Sequence, residues 1–402
     1  MRIAITGATG LLGRNLLFEI IKNNLNKLDD LTLFVFSRPK ESFSHSDRIK
    51  NIINYDGIDY IGRSPSSDNT DLMRPIVPIS FDLAVDNLSI LEDDLAKLDS
   101  KPIDYFFHIA AFTDFRSGAA IESKLEEINV KGTERICHLA KRLKVKNFIY
   151  VGSAYACGNK TGLIEPDYID LGNDFRNPYE RSKLNAEIYF RNFVNSNKIN
   201  YKVFRPSTIC GRLIEKPLGR TSKYDVFYSW IAFFVRQKMK HLKRNEDIYS
   251  SPLEMPIRLH FNPKGGLNIV PVDYCAKVMY DICLNNEPDH SYHLANTEIT
   301  PNIIYGDYTF KMLNISKYQY VLNEPSDKNS YETLYYRTVG KLFTPYGVSD
   351  PIIFNVNNLS NYNRRSGISC PEVNKDNFSI LVEYAKKDYF GLRREKDEQE
   401  LK

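Results

Sequence analysis

The first thirteen residues contain the feature that most restricts how this chain can fold. An apolar, strand-like segment, Ile3–Thr6, runs directly into glycines spaced as Gly7-x-x-Gly10-x-x-Gly13, and an amphipathic helical pattern follows. Glycine permits a tight turn and a close approach to a ligand, and the start of a helix offers free N–H groups and a partial positive charge. In this setting of strand, turn and helix, the pattern predicts a site for the pyrophosphate of a dinucleotide.

The first 210 residues alternate short apolar segments with helical patterns. The predicted strands are Ile3–Thr6, Leu31–Phe36, Ile76–Ile79, Tyr105–Ile109, Phe148–Val151 and Tyr201–Phe204. The predicted helices are Leu11–Asn24, Asp86–Leu98, Ser117–Leu143 and Pro178–Phe193. This alternation indicates an α/β fold with a doubly wound parallel sheet of the Rossmann type. We expect residues 1–210 to form this domain, with its completion at about 267–300, and residues 211–402 to form mainly a smaller substrate-binding lobe and a C-terminal extension.

The composition excludes several classes of protein. The chain has 402 residues, of which 42% are hydrophobic and 26% charged, as in soluble globular proteins. Its formal net charge of +4 gives no reason to expect nucleic-acid binding. No apolar segment approaches the ~20 residues of a transmembrane helix, and six scattered cysteines without a C-x-x-C motif predict neither disulfides nor a metal site. We expect a cytoplasmic protein, either a monomer or a homodimer.

The residues after the second predicted strand indicate which dinucleotide binds. Sites for NAD usually place Asp or Glu there, to hold the ribose 2′-hydroxyl. This chain has Ser37 and Arg38 instead, and a guanidinium binds a 2′-phosphate in a bidentate contact. We therefore expect NADP(H) rather than NAD(H), with Arg14 and Arg48 as further cations. The alternative is that Arg38 is an ordinary surface arginine.

A tyrosine and a lysine are spaced one helical turn apart in the segment "NPYERSKLNAE". Asn177 and Pro178 are typical of a helix start, so Tyr179 and Lys183 should share one face of the helix. A nearby ammonium lowers the pKa of a phenol and suits it to proton transfer. Ser153 follows a predicted strand and offers a hydroxyl that can polarise a carbonyl. The alternative is that Ser153 is a turn residue and Tyr179 a packed helix residue.

Seven motifs occur in the chain in an order that resembles the extended short-chain dehydrogenase/reductases over roughly residues 1–300. They are "TGATGLLG", "FDL", "HIAAF", "INVKGT", "YERSK", "RPSTICG" and "VPVDYCA". The segments "GSAYACG", "NPYERSKLNAE" and "LNIVPVDYCAKVM" are most similar to the thioester reductase and fatty acyl-CoA reductase, or "male sterility", branch. Gly152-Ser153 stands where that branch usually has Ser-Thr, and Phe81 where it usually has Gly. The final hundred residues match no pattern of the family.

The resemblance implies roles for individual residues. Ser153, Tyr179 and Lys183 would form a catalytic triad, and Asn129 would brace the helix that carries it. The dinucleotide would be held by Gly7, Thr9, Gly10, Leu11, Leu12, Gly13, Ser37, Arg38, Asp82, Leu83, Ala110, Ala111, Phe112, Tyr179, Lys183, Pro206, Ser207 and Thr208. Within this set, Asp82 and Leu83 would hold the adenine, and the backbone after Pro206 would meet the nicotinamide carboxamide.

The reaction expected from the resemblance is NADP(H)-dependent reduction of an acyl thioester, carried by coenzyme A or a carrier protein, to an aldehyde or alcohol. The alternatives are a nucleotide-sugar epimerase, dehydratase or reductase, and a non-catalytic dinucleotide-binding protein, which would not need the triad. For Tyr224–Arg244, whose apolar half precedes Arg236, Lys238, Lys240, Lys243 and Arg244, three alternatives remain. The segment could bind an acyl chain and its anionic carrier, lie on a membrane surface, or be a core-facing helix with a basic end.

Overall fold

The computed structural model describes residues 1–38, 44–243 and 246–392. Its strands, numbered in chain order, are β1 (Arg2–Thr6), β2 (Thr32–Ser37), β3 (Ile76–Ser80), β4 (Tyr105–His108), β5 (Asn147–Val151), β6 (Gly162–Ile164), β7 (Asn200–Pro206), β8 (Thr208–Cys210), β9 (Leu253–His260), β10 (Gly266–Leu267), β11 (Ile269–Pro271), β12 (Ser291–Leu294), β13 (Thr300–Pro301), β14 (Ile315–Val321) and β15 (Ile352–Phe354). Its α-helices are α1 (Leu11–Asn23), α2 (His45–Ile52), α3 (Ile58–Ile61), α4 (Glu92–Asp99), α5 (Ala119–Leu125), α6 (Gly132–Arg142), α7 (Pro178–Asn197), α8 (Phe227–His241), α9 (Val272–Leu284), α10 (Asn302–Met312), α11 (Ser330–Arg337), α12 (Val339–Gly347), α13 (Asn357–Ser366) and α14 (Lys375–Lys386).

A seven-stranded sheet with the order β12-β7-β5-β4-β1-β2-β3 forms the centre of the molecule. Every pair of neighbouring strands in it is parallel. The chain starts at β1, moves outward to β3, and then crosses back to β4, so the direction of winding reverses between β1 and β4. Ligands of such sheets bind at the carboxyl ends of the strands next to this reversal. The predicted doubly wound Rossmann-type fold is confirmed.

Alternating side chains of the central strands are buried on opposite faces of the sheet, as the two-residue period of a strand requires. In β1, Ile3 and Ile5 belong to the core on one face, whereas Ala4 belongs to the core on the other. Helices α1 and α9 supply apolar side chains to the face that contains Ile3 and Ile5. Helices α6 and α7 supply them to the face that contains Ala4. Both faces are therefore covered by helices, which explains why these strands are apolar throughout.

The predicted strands of the first 210 residues all occur within one or two residues of their predicted bounds, but two helices differ. The prediction of a helix over Asp86–Leu98 is wrong in its first half, because α4 begins only at Glu92. The Asp82 and Asn87 side chains instead accept bonds from the backbone N–H groups of Ala84 and Ser89, which hold the preceding segment in turns. Similarly, the long helix predicted over Ser117–Leu143 is α5 and α6, joined by the π-helical segment Glu126–Lys131.

Besides the apolar packing on the two faces of the sheet, which we call the sheet core, a second core lies outside the sheet and is built from residues between Cys210 and Phe390. Trp230 on α8 is fully buried there and packs against aromatic rings of other elements, among them Tyr305 and Phe343. The chain passes between the two cores several times, since α9, β12 and α13 return to the sheet after α8 has left it. The predicted division at residue 210 stays a prediction.

The structure of α8 distinguishes between the alternatives given for Tyr224–Arg244. Most of its apolar side chains are buried in the second core, which favours the core-facing alternative. Lys238, predicted to belong to an exposed basic cluster, is buried, and its ammonium donates to the Leu313 carbonyl. Arg244 lies outside the described residues. Within the parts of the chain that are described, no helix is both long and apolar enough to span a bilayer.

Candidate active site

The glycine loop after β1 is closely packed, and two of its glycines have no space for a side chain. Gly7 has a φ of +77°, and a Cβ there would stand 2.7 Å from the backbone nitrogen of Ala110. A Cβ on Gly13 would stand 2.1 Å from the Gly7 carbonyl oxygen. Gly10, the N-cap of α1, differs from these two, because a Cβ there would meet only the Gly7 carbonyl oxygen, at 3.3 Å. Gly7 and Gly13 therefore shape the loop, and Gly10 keeps the start of α1 accessible.

One cavity of about 510 Å³ lies at the carboxyl ends of the sheet strands, beside the start of α1. Every residue that the family resemblance implies for dinucleotide binding lines this cavity, and so do all three members of the predicted triad. The lining therefore brings together the ends of β1, β2, β4, β5 and β7 at the place where ligands of this fold bind. The individual roles of these residues stay predictions.

The predicted cations near the second strand are divided between two places. Arg38 lines the cavity and is exposed, next to Ser37. Arg14 instead donates to the Asp56 carboxylate at 2.8 Å and to the Thr9 carbonyl at 2.7 Å. Arg48 donates to the Arg38 carbonyl at 3.3 Å, and neither it nor Arg14 lines the cavity. Only Arg38, of the three arginines, faces the space in which a dinucleotide would fit.

Asn129 connects the cavity wall to the helix that carries the tyrosine. Its amide accepts a bond from the Phe112 N–H at 2.7 Å and donates to the Phe112 carbonyl at 3.0 Å. The same amide nitrogen donates to Ser182 Oγ on α7 at 2.9 Å. Asn129 lies in the π-helical segment between α5 and α6, so three parts of the chain are fixed by one buried side chain.

Tyr179 lies in the first turn of α7, where the Asn177 side chain caps the helix and Pro178 occupies its first position. Burial raises the pKa of Tyr179 to about 12, and the hydrogen bond with Thr113 opposes this rise. The ring of Phe115 packs edge-on against the tyrosine ring, with 5.2 Å between centroids. The expectation that Lys183 lowers the pKa of this phenol is wrong for this structure, because burial dominates.

Lys183 is buried one turn further along α7, and its side chain is directed to the floor of the cavity. Its ammonium donates to the Val151 carbonyl at 2.7 Å and stands 4.7 Å from the centre of the Tyr150 ring. Burial lowers the pKa of Lys183 to about 8, against the opposite effect of the Glu187 carboxylate. Glu187 is itself held by Arg205 and Arg191, with nitrogen–oxygen distances of 2.9 and 2.7 Å.

Ser153 follows β5 directly and is almost completely buried. Its hydroxyl oxygen accepts a bond from the Tyr155 N–H at 3.3 Å, as the N-cap of a short 3₁₀ turn. Tyr155 also lines the cavity, and its own hydroxyl lies 3.3 Å from Thr208 Oγ1. A structural role of Ser153 in the turn is thus compatible with a catalytic role, because the hydroxyl that caps the turn also borders the cavity.

Residues after position 210 form a wall that the sequence predicts only in part, since Val226 and Ser229 lie in Tyr224–Arg244, for which acyl-chain binding is one alternative. Helix α12 and the start of α8 complete the cavity with Val226, Ser229, Val339, Leu342, Phe343 and Tyr346. Tyr346 Oη donates to the buried Glu180 carboxylate at 2.6 Å and accepts from the Asn177 amide at 2.7 Å. The wall is therefore attached to the first turn of α7, beside Tyr179. No motif marks the residues of α12, and only the apolar period of 339–347 could have drawn attention to them.

The residues present fit a nicotinamide dinucleotide. A side chain at Gly7 or Gly13 would collide with the loop backbone, and the free start of α1 faces the cavity. These features suit a pyrophosphate at the helix N-terminus. No cluster of three or more His, Cys, Asp or Glu side chains suitable for a metal ion occurs among the described residues.

Comparisons with known proteins agree with this geometry. The model of the family described as "Male sterility protein" matches residues 5–279. Fatty acyl-CoA reductase 8 of Arabidopsis thaliana is 29% identical over 168 residues, which are 40% of this chain and 32% of that protein. The chain thus spans about a third of the length of this curated relative.

Two solved structures show the same fold. The terminal R domain from the myxalamid PKS-NRPS biosynthetic pathway has a TM-score of 0.70 at 22% identity, over 96% of this chain and 91% of that one. The UDP-glucuronic acid 4-epimerase from Bacillus cereus, solved with UDP-glucuronic acid and NAD, has a TM-score of 0.58 at 16% identity, over 96% and 99%. The resemblance inferred from the motifs is confirmed: the chain belongs to the male sterility protein family, a branch of nicotinamide-dinucleotide-dependent oxidoreductases within the extended short-chain dehydrogenase/reductases.

Proposed function

We propose that this protein is an NADP(H)-dependent reductase of acyl thioesters. The observation that carries the proposal is the single cavity in which the predicted triad, the predicted dinucleotide site and an apolar wall meet. The family assignment and the fatty acyl-CoA reductase relative support the same chemistry. The substrate would be an acyl group on coenzyme A or on a carrier, and the product an aldehyde or alcohol.

The proposed roles follow from where the side chains lie. A bound NADPH would supply hydride to the carbonyl carbon of the thioester. Ser153 and Tyr179 would donate hydrogen bonds to the carbonyl oxygen as negative charge develops on it, and Tyr179 would deliver a proton. Loss of the sulfur group as a thiol then gives the aldehyde. Lys183, buried beneath them, would hold the nicotinamide ribose and support the phenol electrostatically.

The apolar wall supports an acyl substrate over a nucleotide-sugar. Beyond Tyr179, the cavity is lined by Phe115, Val226, Leu267, Val339, Leu342 and Phe343. Burying an alkyl chain against such side chains contributes ~0.8 kcal/mol per CH₂ group. A sugar would place hydroxyl groups against these apolar side chains, and each hydroxyl left without a hydrogen-bond partner costs free energy.

The proposed preference for NADP(H) rests on Arg38. Its guanidinium lines the cavity after β2, at the position where an NAD site carries an acidic residue. We expect wild-type protein to bind NADPH more tightly than NADH, and Arg38→Ala to remove most of that difference. Equal affinities for the two cofactors in the wild type, unchanged by the substitution, would contradict the proposal.

The reaction is tested by following two products at once. Purified protein with NADPH is offered acyl-CoAs and acyl-pantetheines of graded chain length, and free thiol and NADPH oxidation are measured together. We expect one thiol released for each acyl group reduced, with one NADPH oxidised for an aldehyde product and two for an alcohol. A parallel series with nucleotide-sugars is the control. Conversion of a nucleotide-sugar without thiol release from any thioester would replace this proposal with the sugar alternative.

A further inference from the structure

A second cavity, of about 680 Å³, lies between α1, α2 and the second lobe. We refer to it as the Arg220 cleft. The charged residues that line it are Arg14, Arg48, Arg220, Lys387, Asp56 and Asp388. It shares none of its lining residues with the cavity that contains Tyr179.

One buried carboxylate, Asp56, binds three arginines at this place. Its oxygens lie 2.8 Å from Arg14 Nη1, 2.8 Å from Arg212 Nη2 and 2.7 Å from Arg220 Nε. A single carboxylate neutralises only one of these three charges. In addition, Arg14 Nε is buried and has no hydrogen-bond partner among the described residues.

Positive charge therefore exceeds negative charge in the Arg220 cleft. Four cations and two carboxylates line it among the described residues, and Asp388 already accepts a bond from Tyr224 Oη at 3.0 Å. Burial, followed by the charges of Arg14 and Arg38, lowers the pKa of Arg48. Holding like charges together in a partly buried space costs free energy unless an anion offsets them. The cleft thus suits a ligand with more than one negative charge.

Aromatic side chains at the same place indicate what else the ligand carries. Tyr55, which lines the cleft, is 76% exposed, and Tyr384 lines the opposite side on α14. An exposed aromatic ring offers a flat surface on which a nucleobase can stack. Phosphate-binding cations beside such rings are the combination that a phosphorylated nucleotide requires.

The Arg220 cleft and the active-site cavity are both lined by residues of one short segment. Of residues 221–226, Thr221, Ser222 and Tyr224 line the cleft, whereas Lys223, Asp225 and Val226 line the cavity. The Asp225 carboxylate is near enough to Tyr179 to add to the effect of burial in raising its pKa. A flexible ligand that crosses this segment could therefore reach both places.

We propose that the Arg220 cleft binds the adenosine 3′-phosphate 5′-diphosphate end of coenzyme A, while the pantetheine arm crosses residues 221–226 to place the thioester beside Tyr179. This inference rests on the proposed function, since it assumes an acyl thioester substrate. It selects coenzyme A over a carrier protein, because a carrier-bound pantetheine has one phosphodiester and no nucleobase to use the cations and rings described.

Binding is tested with full-length protein saturated with NADP⁺, so that the cofactor's own phosphate site is occupied. Adenosine 3′,5′-bisphosphate is titrated calorimetrically into wild type, Lys387→Gln and Arg220→Gln. Lys240→Gln is the matched control, since Lys240 is exposed on α8 outside the cleft. We expect the two cleft variants to bind at least about tenfold more weakly, because each loses a charge-assisted phosphate contact. The control and the affinity for NADP⁺ should be unchanged. Lys387 is exposed, so its variant should fold even if the loss of the Arg220–Asp56 pair destabilises the other.

A kinetic comparison separates this inference from the proposed function. Lys387→Gln should raise KM for acyl-CoA and leave KM for the matching acyl-pantetheine unchanged. Absence of bisphosphate binding in wild type, equal binding by Lys387→Gln and Lys240→Gln, or an acyl-carrier substrate used in preference to acyl-CoA would overturn the inference. Variant-sensitive bisphosphate binding in a protein that reduces no thioester would instead overturn the proposed function and leave the nucleotide site in place.

Discussion

At the scale of single residues, burial has a larger effect on the proton affinity of Tyr179 than its lysine neighbour has. The spacing of Tyr179 and Lys183 correctly places both on one face of α7, but it does not determine where a long side chain ends. The Lys183 ammonium donates to the Val151 carbonyl, and the pKa of Tyr179 is raised to about 12 by burial. A phenol with this pKa stays protonated at neutral pH and is suited to donate a proton.

The first prediction concerns this hydroxyl. Tyr179→Phe removes it and leaves the ring contact with Phe115 and the Asn177 cap in place. We expect turnover to fall by ~10²–10⁴-fold, the usual contribution of general acid catalysis, with NADPH affinity retained. Single-turnover kinetics and a fluorescence titration measure the two quantities. Tyr331→Phe, in the second lobe and away from the cavity, is the matched control. A Tyr179→Phe enzyme as active as the control would remove Tyr179 from the mechanism.

The second prediction is a pH dependence that arises from Lys183. Because burial lowers its pKa to about 8, the ammonium is charged below that pH and loses its charge as the pH rises through it. If the ammonium holds the nicotinamide ribose, NADPH affinity should be highest below pH 8 and should fall by about tenfold above it. Affinity in Lys183→Met should be low throughout and lack this transition. A wild-type affinity that stays constant from pH 7 to 9.5 would contradict the role.

At the scale of elements, the loop between β1 and α1 was the part most fully predicted. Glycine spacing, an apolar strand and an amphipathic helix all indicate the same turn, so local and global requirements agree there. The structure adds a distinction that spacing alone does not contain. Gly7 and Gly13 are enclosed by backbone atoms, whereas Gly10 borders open space in the cavity.

The third prediction uses this distinction. Gly13→Val would place a side chain within the loop backbone, since even its Cβ would lie 2.1 Å from the Gly7 carbonyl oxygen. We expect a clearly lower unfolding midpoint. Gly10→Val should instead fold normally and lose NADPH binding, because its side chain would enter the pyrophosphate site. Thermal unfolding and calorimetric titration separate the two effects, with the exposed Gly172→Val as control. Similar loss of stability in both variants would show that Gly10 is also a packing position.

Apart from α8, the elements that follow residue 210 and lie outside the sheet were not predicted, and the reason is physical. The central strands and α1 carry periodic apolar patterns because each packs against a regular neighbour. Helix α12 lines the cavity with apolar side chains and also with Tyr346, which donates to Glu180, so its pattern combines apolar and polar requirements. Its contacts come from residues that are distant in the chain, which no local pattern records. The late start of α4 has a different, local origin, since the Asp82 and Asn87 side chains accept bonds from backbone N–H groups two residues further on.

At the scale of the whole molecule, the two cores are joined by a chain that alternates between them. Strand β12 pairs with β7 at the edge of the sheet, and α13 adds Leu359 and Tyr362 to the sheet core, although both follow α8 in sequence. Between the cores, Tyr346 is hydrogen-bonded to Glu180 and Asn177. Repeated crossings of this kind favour unfolding as one cooperative unit.

The last prediction tests this coupling with Trp230, the only tryptophan of the chain, which is buried in the second core. Its fluorescence reports on the second core, whereas far-ultraviolet circular dichroism reports on all helices and strands. In a urea titration we expect both signals to give the same midpoint.

Saturating NADP⁺, which binds at the sheet, should shift both midpoints equally, since a ligand at 100 times its Kd adds ~2.7 kcal/mol of stability. The oxidised cofactor is used because the reduced form absorbs tryptophan emission. Gly10→Val should show the same starting midpoint and no shift. If NADP⁺ moved only the circular dichroism transition and left that of Trp230 in place, the second core would be a separately folding domain that closes the cavity without sharing its stability.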